Sequence, residues 1–105
     1  MRKLLFTLLL ALPLLAMAQE KIKVACVGNS VTYGYGHKNP TETSYPTQLQ
    51  QLLGEEYEVR NFGVLDAAAR FDADTPYVRK KAYTKSLEWN PDMVLLMLGS
   101  NDTKR

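Results

Sequence analysis

Ser30 and Asn101 are the residues whose types and surroundings favour chemistry. Ser30 lies in the glycine-flanked run VGNSVTYG of residues 27–34, and Asn101 lies far downstream in the run LGSND of residues 98–102. Acyl transfer needs a hydroxyl that attacks a carbonyl carbon, and donors that hold the oxyanion formed by the attack. A serine hydroxyl and an asparagine carboxamide meet these needs if the fold brings the two residues together.

Both segments directly follow runs of residues that are typical of β-strands. Residues 22–27 are short, apolar and β-branched, and residues 93–98 are continuously apolar, as expected of a parallel strand buried on both faces. Between them, Tyr57, Val59 and Phe62 alternate with polar residues, which predicts a strand that ends at residues 61–63. The carboxyl ends of parallel strands meet at one edge of a sheet, where ligands bind. We therefore expect three segments in one crevice: residues 28–34, 61–66 and 99–102.

Helical patterns separate these strands, and a polar loop is predicted over residues 29–43. The first helix is predicted from an N-cap at Ser44, with Pro46 in its first turn, to a stop at Gly54. Its predicted apolar face consists of Tyr45, Leu49, Leu52 and Leu53. The second helix is predicted over residues 75–89. Its predicted inner face consists of Tyr77, Val78, Ala82 and Leu87.

The alternation of strands and helices indicates the class of fold. The order β-α-β-α-β with short connections predicts an α/β protein, with a parallel sheet inside a three-layer α/β/α sandwich. Cys26 falls within the first apolar strand, so we expect a buried small side chain rather than a reactive thiol.

The N-terminus has the pattern of a secretory signal peptide. Arg2 and Lys3 precede the apolar residues 4–15, and Ala16 and Ala18 are the small residues expected just before a cleavage site. The apolar stretch is shorter than the about 20 residues that a membrane-spanning helix needs. We therefore predict a signal peptide over residues 1–18, a domain over residues 19–105, and a secreted or periplasmic protein without a stable membrane span.

Charge and composition exclude some partners. Arg2 and Lys3 belong to the predicted signal, and the remaining 11 basic residues balance the 11 acidic ones, so a nucleic-acid partner is not indicated. The basic residues 79–81 are interpreted as the solvated face of a helix. The sequence has no cluster of residues at metal-ligand spacing and no phosphate-binding glycine loop, so neither a metal nor a cofactor is predicted.

The three segments resemble blocks I, II and III of the SGNH (GDSL-like) hydrolases, in the order and spacing of that family. The resemblance rests on VGNSVTYG at residues 27–34, NFGV at residues 61–64 and LGSND at residues 98–102. It implies a flavodoxin-like fold and a secreted serine esterase. The NPD sequence at residues 90–92 and the SYP sequence at residues 44–46 are similar to the carbohydrate-esterase branch, including sialate O-acetylesterase-like proteins.

The resemblance also implies roles for individual residues. Ser30 would be the nucleophile, with its own backbone N–H as one oxyanion donor, and Asn101 would supply a side-chain donor. The family usually has a glycine at the block II position of Asp66, whose backbone N–H would give a third donor, with Gly63 as the alternative. Asn29 stands where the family more often has Asp.

The family's general base and its orienting acid lie in a later D-x-x-H motif, which has no match here. We therefore expect this chain to be the N-terminal part of a longer domain. His37 could serve as the base but is more simply explained as a solvated loop residue, and Tyr33 and Tyr35 are candidates for lining a pocket. The implied function is removal of acetyl or other acyl groups from a small-molecule or glycan ester. The alternative is a non-catalytic family fragment or glycan-binding module.

Overall fold

The computed structural model of the chain describes residues 20–103. The predicted signal peptide lies outside the described residues. Across residues 20–103, no helix combines the length and the apolar character that crossing a membrane would require.

A parallel sheet of three strands organises the fold, as predicted. The strands are β1 (Ile22–Gly28), β2 (Tyr57–Gly63) and β3 (Met93–Met97), in the spatial order β2-β1-β3. In the central strand, Val27 is in register with Phe62 on one side and with Leu96 on the other. This arrangement brings the carboxyl ends of all three strands to the same edge of the sheet.

The two faces of β1 are covered by different elements. Ala25 and Val27 pack with Phe62, Ala67 and Tyr77 in a buried cluster, whose surroundings include residues of the helix after β2. Cys26 points to the opposite face because side chains alternate along a strand. There it lies against Tyr45, and burial raises the pKa of its thiol, so it is the buried free cysteine that the sequence predicts.

The helix over residues 45–53 is confirmed as α3 (Tyr45–Leu53), one layer of the α/β/α arrangement. Gln50 fixes it to β2, because its side-chain amide donates to the carbonyl of Tyr57 at 2.9 Å and accepts from the N–H of Val59 at 2.7 Å. The inner position predicted for Leu52 is wrong, since 85% of this residue is exposed. Ser44 stands at the N-cap, but its hydroxyl bonds to that of Thr47 instead of capping a backbone N–H.

The single helix predicted over residues 75–89 is broken into two pieces. A 3₁₀ turn (Tyr77–Arg79) precedes the helix α4 (Lys81–Glu88), and Lys80 between them is extended. Tyr77 explains the break, because its N–H donates to the carbonyl of Ala68 at 2.9 Å and its buried hydroxyl donates to the carbonyl of Phe62 at 2.7 Å. The inner position predicted for Leu87 is wrong, as this residue is exposed.

Two helical turns interrupt the predicted loop over residues 29–43. They are α1 (Ser30–Tyr33) and α2 (Pro40–Thr43). The side chain of Asn29 accepts a hydrogen bond from the N–H of Val31 and so caps α1, while Pro40 suits the first turn of α2.

Strand β3 differs from its prediction in burial. All five of its residues are exposed, whereas the apolar pattern predicted a strand covered on both faces. Within residues 20–103, β3 pairs with β1 along one edge only. Its exposure therefore reflects its outer position in the described sheet, not a polar sequence.

Candidate active site

Ser30 and Asp66 are brought together at the carboxyl edge of the sheet. Ser30 is the first residue of α1, directly beyond β1, and Asp66 lies in the loop beyond β2. The backbone N–H of Asp66 donates to Oγ of Ser30 at 2.9 Å. The serine hydroxyl therefore faces a backbone donor of the kind that stabilises an oxyanion.

Asp66 adopts a backbone conformation that glycine usually occupies. Its φ angle is 61°, in the left-handed region, which costs an ordinary residue about 1–2 kcal/mol. Asp and Asn tolerate this region better than most residues. The loop therefore keeps the geometry of a glycine position although the residue is an aspartate, and its N–H still points at Ser30.

A small cleft opens at the serine. Its volume is about 190 Å³, and it is lined by Ser30, Tyr35, Leu65 and Asp66. Ser30 is half-buried, whereas Tyr35 is largely exposed at the rim. Tyr33 instead lines a second cavity of about 410 Å³, together with Asn61 and Gly63. Only Tyr35 of the two tyrosines therefore lines the cleft at Ser30.

Asn101 is held against the loop that carries Asp66. Its side-chain Nδ2 donates to the carbonyl of Ala67 at 3.0 Å. A carboxamide nitrogen has two hydrogens, so this bond leaves one of them for another acceptor. Asn101, the predicted side-chain oxyanion donor, is thus held in place by Ala67, the residue directly after Asp66.

Asp102 makes several hydrogen bonds to the same loop. Its Oδ1 accepts from the N–H of Ala69 at 2.9 Å and its Oδ2 from the N–H of Arg70 at 3.0 Å. The Arg70 guanidinium donates to the carbonyl oxygen of Asp102 at 2.9 Å and also pairs with Asp72. The turn after β3 (residues 99–102) therefore holds residues 67–70 through Asn101 and Asp102. The sequence did not predict this role.

Asn29 connects the segment after β1 to the turn after β3. Its Nδ2 donates to Oγ of Ser100 at 2.6 Å, while its Oδ1 accepts from the N–H of Val31. The side chain is almost fully buried. The Asn29 amide therefore serves both as the cap of α1 and as a link to the turn after β3.

Glycines allow α1 to approach the sheet closely. A Cβ on Gly63 would collide with the backbone of Tyr33 and would lie 2.8 Å from the carbonyl carbon of Thr32. The N–H of Gly63 donates to Oδ1 of Asn61 at 2.8 Å, and the Nδ2 of Asn61 donates to the carbonyl of Thr32. Because the Gly63 N–H is used inside its own loop, the geometry favours Asp66 over Gly63 as the donor at the serine.

His37 lies in the exposed loop after α1. Its ring Nδ1 is 2.7 Å from Oγ1 of Thr43, and its backbone N–H donates to the carbonyl of Gly34. Among residues 20–103, no histidine side chain hydrogen-bonds to Ser30. The described part of the chain thus presents a serine and backbone donors, while His37 is engaged with Thr43.

Comparison with known proteins gives the same assignment. The sequence profile of the GDSL-like lipase/acylhydrolase family matches residues 26–105. An acetylxylan esterase of Xylanibacter ruminicola is 42% identical over 89 residues, which cover 85% of this chain and 18% of that relative. The chain thus spans less than a fifth of the relative's length. No solved structure matches it. The profile match confirms the resemblance to the SGNH hydrolases: the chain belongs to the GDSL-like lipase/acylhydrolase family.

Proposed function

We propose that this chain supplies the nucleophile and oxyanion donors of an exported serine esterase that removes acetyl groups from carbohydrate. One observation carries the proposal: the hydrogen bond from the Asp66 N–H to Oγ of Ser30. When Oγ attacks a substrate, the carbonyl oxygen comes close to this N–H. The N–H can then donate to that oxygen as it becomes negatively charged.

The reaction has two steps. Oγ of Ser30 attacks the carbonyl carbon and loses its proton to a general base, and the alcohol then leaves with a proton, which gives an acyl-serine. Water hydrolyses that ester and releases the acid. The N–H groups of Ser30 and Asp66 and the free hydrogen of the Asn101 carboxamide are the proposed donors to the oxyanion. We propose that the base belongs to a D-x-x-H motif, as the resemblance to the family implies.

The size of the cleft at Ser30 and the similarity to an acetylxylan esterase both support a short acyl group in the substrate. The cleft of about 190 Å³ at Ser30 is smaller than the about 300–1,000 Å³ of common ligand pockets. The acetylxylan esterase relative favours an acetyl ester on a polysaccharide over a sialate ester. The apolar N-terminus with its small residues before Gln19 supports export, and mass determination of the exported protein would test cleavage after Ala18.

Hydrolysis of p-nitrophenyl acetate and of acetylated xylan tests the proposal. The chain and any longer protein of which it forms part are compared with their Ser30→Ala variants, and circular dichroism establishes that each variant is folded. We expect acetate release that disappears in Ser30→Ala and a slower reaction with p-nitrophenyl butyrate. Folded protein that binds acetylated xylan without Ser30-dependent hydrolysis would instead support the glycan-binding alternative.

A further inference from the structure

We propose that Asp102 is a positioning residue that holds the Asp66 N–H at Ser30. The inference rests on the proposed function and adds a residue to its machinery. Asp102 has no described hydrogen bond to Ser30, and it acts through the backbone of residues 69 and 70.

The geometry of the carboxylate is what points to this role. Its two oxygens accept from two successive backbone N–H groups, those of Ala69 and Arg70, at 2.9 and 3.0 Å. A carboxylate that accepts two such bonds fixes both the distance and the orientation of the peptide that it grips. The loop is therefore held at two successive peptide groups. We call this pair of hydrogen bonds from Ala69 and Arg70 to Asp102 the clamp.

The clamped segment begins directly after the donor. Asn101 holds the carbonyl of Ala67 at 3.0 Å, and Ala67 follows Asp66 in the chain. With Asp102 holding residues 69 and 70, the turn after β3 fixes the loop on the C-terminal side of Asp66. Gly28 fixes its N-terminal side, since the carbonyl of Gly28 accepts from the N–H of Val64 at 3.0 Å.

The left-handed conformation of Asp66 makes this clamp necessary. A residue with a φ angle of 61° relaxes to an ordinary conformation unless its neighbours hold it there. Relaxation of that angle would turn the N–H away from Ser30. A displacement of about 1 Å at a catalytic group can lower a rate about 100-fold, so loss of the clamp affects the reaction more than the binding of substrate.

Two variants and a matched control test the inference. Asp102→Ala removes both acceptors, and Asp102→Asn keeps one of them. Asp72→Asn is the control, because Asp72 is an exposed carboxylate that pairs with the same Arg70 but accepts none of the loop N–H groups described for Asp102. The first readout is the Asp66 amide resonance in an ¹H–¹⁵N correlation spectrum of the ¹⁵N-labelled chain. The Ser30→Ala variant gives its position when the bond to Oγ is absent.

In Asp102→Ala, we expect the Asp66 resonance to move towards its position in Ser30→Ala. Asp102→Asn should move it part of the way, and Asp72→Asn should leave it unchanged. In protein that hydrolyses p-nitrophenyl acetate, kcat should fall roughly 10- to 100-fold in Asp102→Ala while KM stays within about twofold. If Asp102→Ala does not fold, the resonance in Asp102→Asn decides.

The inference is overturned if the Ala69 and Arg70 resonances shift in the Asp102 variants while the Asp66 resonance stays at its wild-type position. Asp102 would then be an anchor of the loop alone. Failure of the proposed function looks different, since hydrolysis would then be unaffected by Ser30→Ala. The amide resonance of Asp66 reports on the clamp in either case.

Discussion

The backbone N–H of Asp66 meets the hydroxyl oxygen of Ser30 at 2.9 Å, across 36 positions of sequence. The segments that follow β1 and β2 therefore contact each other through atoms that the proposed reaction uses. Since the donor belongs to the backbone, the side chain at position 66 can affect it through the backbone conformation that it tolerates and through its charge. These two effects can be separated by substitution.

Asp66→Asn removes the charge and keeps a side chain that tolerates the left-handed conformation. We expect a carboxylate at this position to oppose the negative charge that develops on the substrate, so its removal should raise kcat by roughly fivefold, equivalent to about 1 kcal/mol. Asp66→Gly should raise kcat similarly, since both variants keep the N–H. Steady-state kinetics at low and high salt provide the check. The difference between wild type and Asp66→Asn should shrink at high salt, and a difference that persists would argue against an electrostatic cause.

Gly63→Ala should destabilise the fold by about 1–3 kcal/mol or more, because its Cβ would collide with the backbone of Tyr33. Gly36→Ala is the matched control. Both variants add a methyl group near α1, but nothing lies within 4 Å of the Cβ position at Gly36, whose φ angle is 87°. The control should lose only about 1 kcal/mol through backbone strain. Urea denaturation followed by circular dichroism measures both, and equal losses would contradict the close approach.

Tyr77→Phe should cost about 1–3 kcal/mol, because the buried carbonyl of Phe62 loses its donor. The same residue predicts a pH dependence. Burial raises the pKa of Tyr77 to about 12, from an ordinary value of 10.0. Between these pH values the unfolded state loses the proton that the folded state keeps, so the free energy of unfolding falls as pH rises from 10 towards 12.

That pH effect can be assigned to Tyr77 by comparing two unfolding curves. Stability is measured from pH 9 to pH 12 for the wild type and for Tyr77→Phe. The difference between them should narrow as pH rises, because the variant has no Tyr77 proton to lose. A constant difference would show that Tyr77 titrates alike in both states. Tyr45, whose pKa burial also raises, is present in both proteins and cancels.

Ser100→Ala should destabilise the protein by about 1 kcal/mol or more, since the nearly buried Asn29 would lose the acceptor of its Nδ2. Asn29→Asp should be tolerated, because the Ser100 hydroxyl can reverse its role and donate to a carboxylate. The double variant Asn29→Asp, Ser100→Ala should be less stable than Asn29→Asp alone. Thermal melts of the four proteins provide the check, and a Ser100→Ala change that costs no stability in either background would contradict a direct bond.

Local patterns predicted the elements that depend on local sequence. The three strands, their parallel arrangement and α3 follow from runs of apolar residues and from the stop at Gly54. The break at Lys80 could not be predicted in this way, because it arises from hydrogen bonds that Tyr77 makes to the distant residues Phe62 and Ala68. The exposure of β3 depends on its neighbours in the sheet, which an apolar pattern does not specify.

The candidate site shows the same division. Ser30, Asn101 and Asp66 could be singled out from their motifs, and the structure brings Asp66 to Ser30. The grip of Asp102 on residues 69 and 70 gave no sequence signal, because its partners are backbone N–H groups that every non-proline residue has. The left-handed conformation of Asp66 was not predicted either, although the glycine that the family usually has at this position is typical of such a conformation.

Long-range bonds on both sides of β3 also bear on the order of folding. The bond from Asn29 to Ser100 joins residues 71 positions apart, and the bond from the Lys23 N–H to Asp92 spans 69. Contacts between such distant residues form slowly, because the chain must first lose the entropy of closing a large loop. In the proposed role of Asp102, the segment that carries Ser100 and Asp102 must dock before the Asp66 N–H is held at Ser30. The nucleophile therefore gains its aligned donor at a late step of folding.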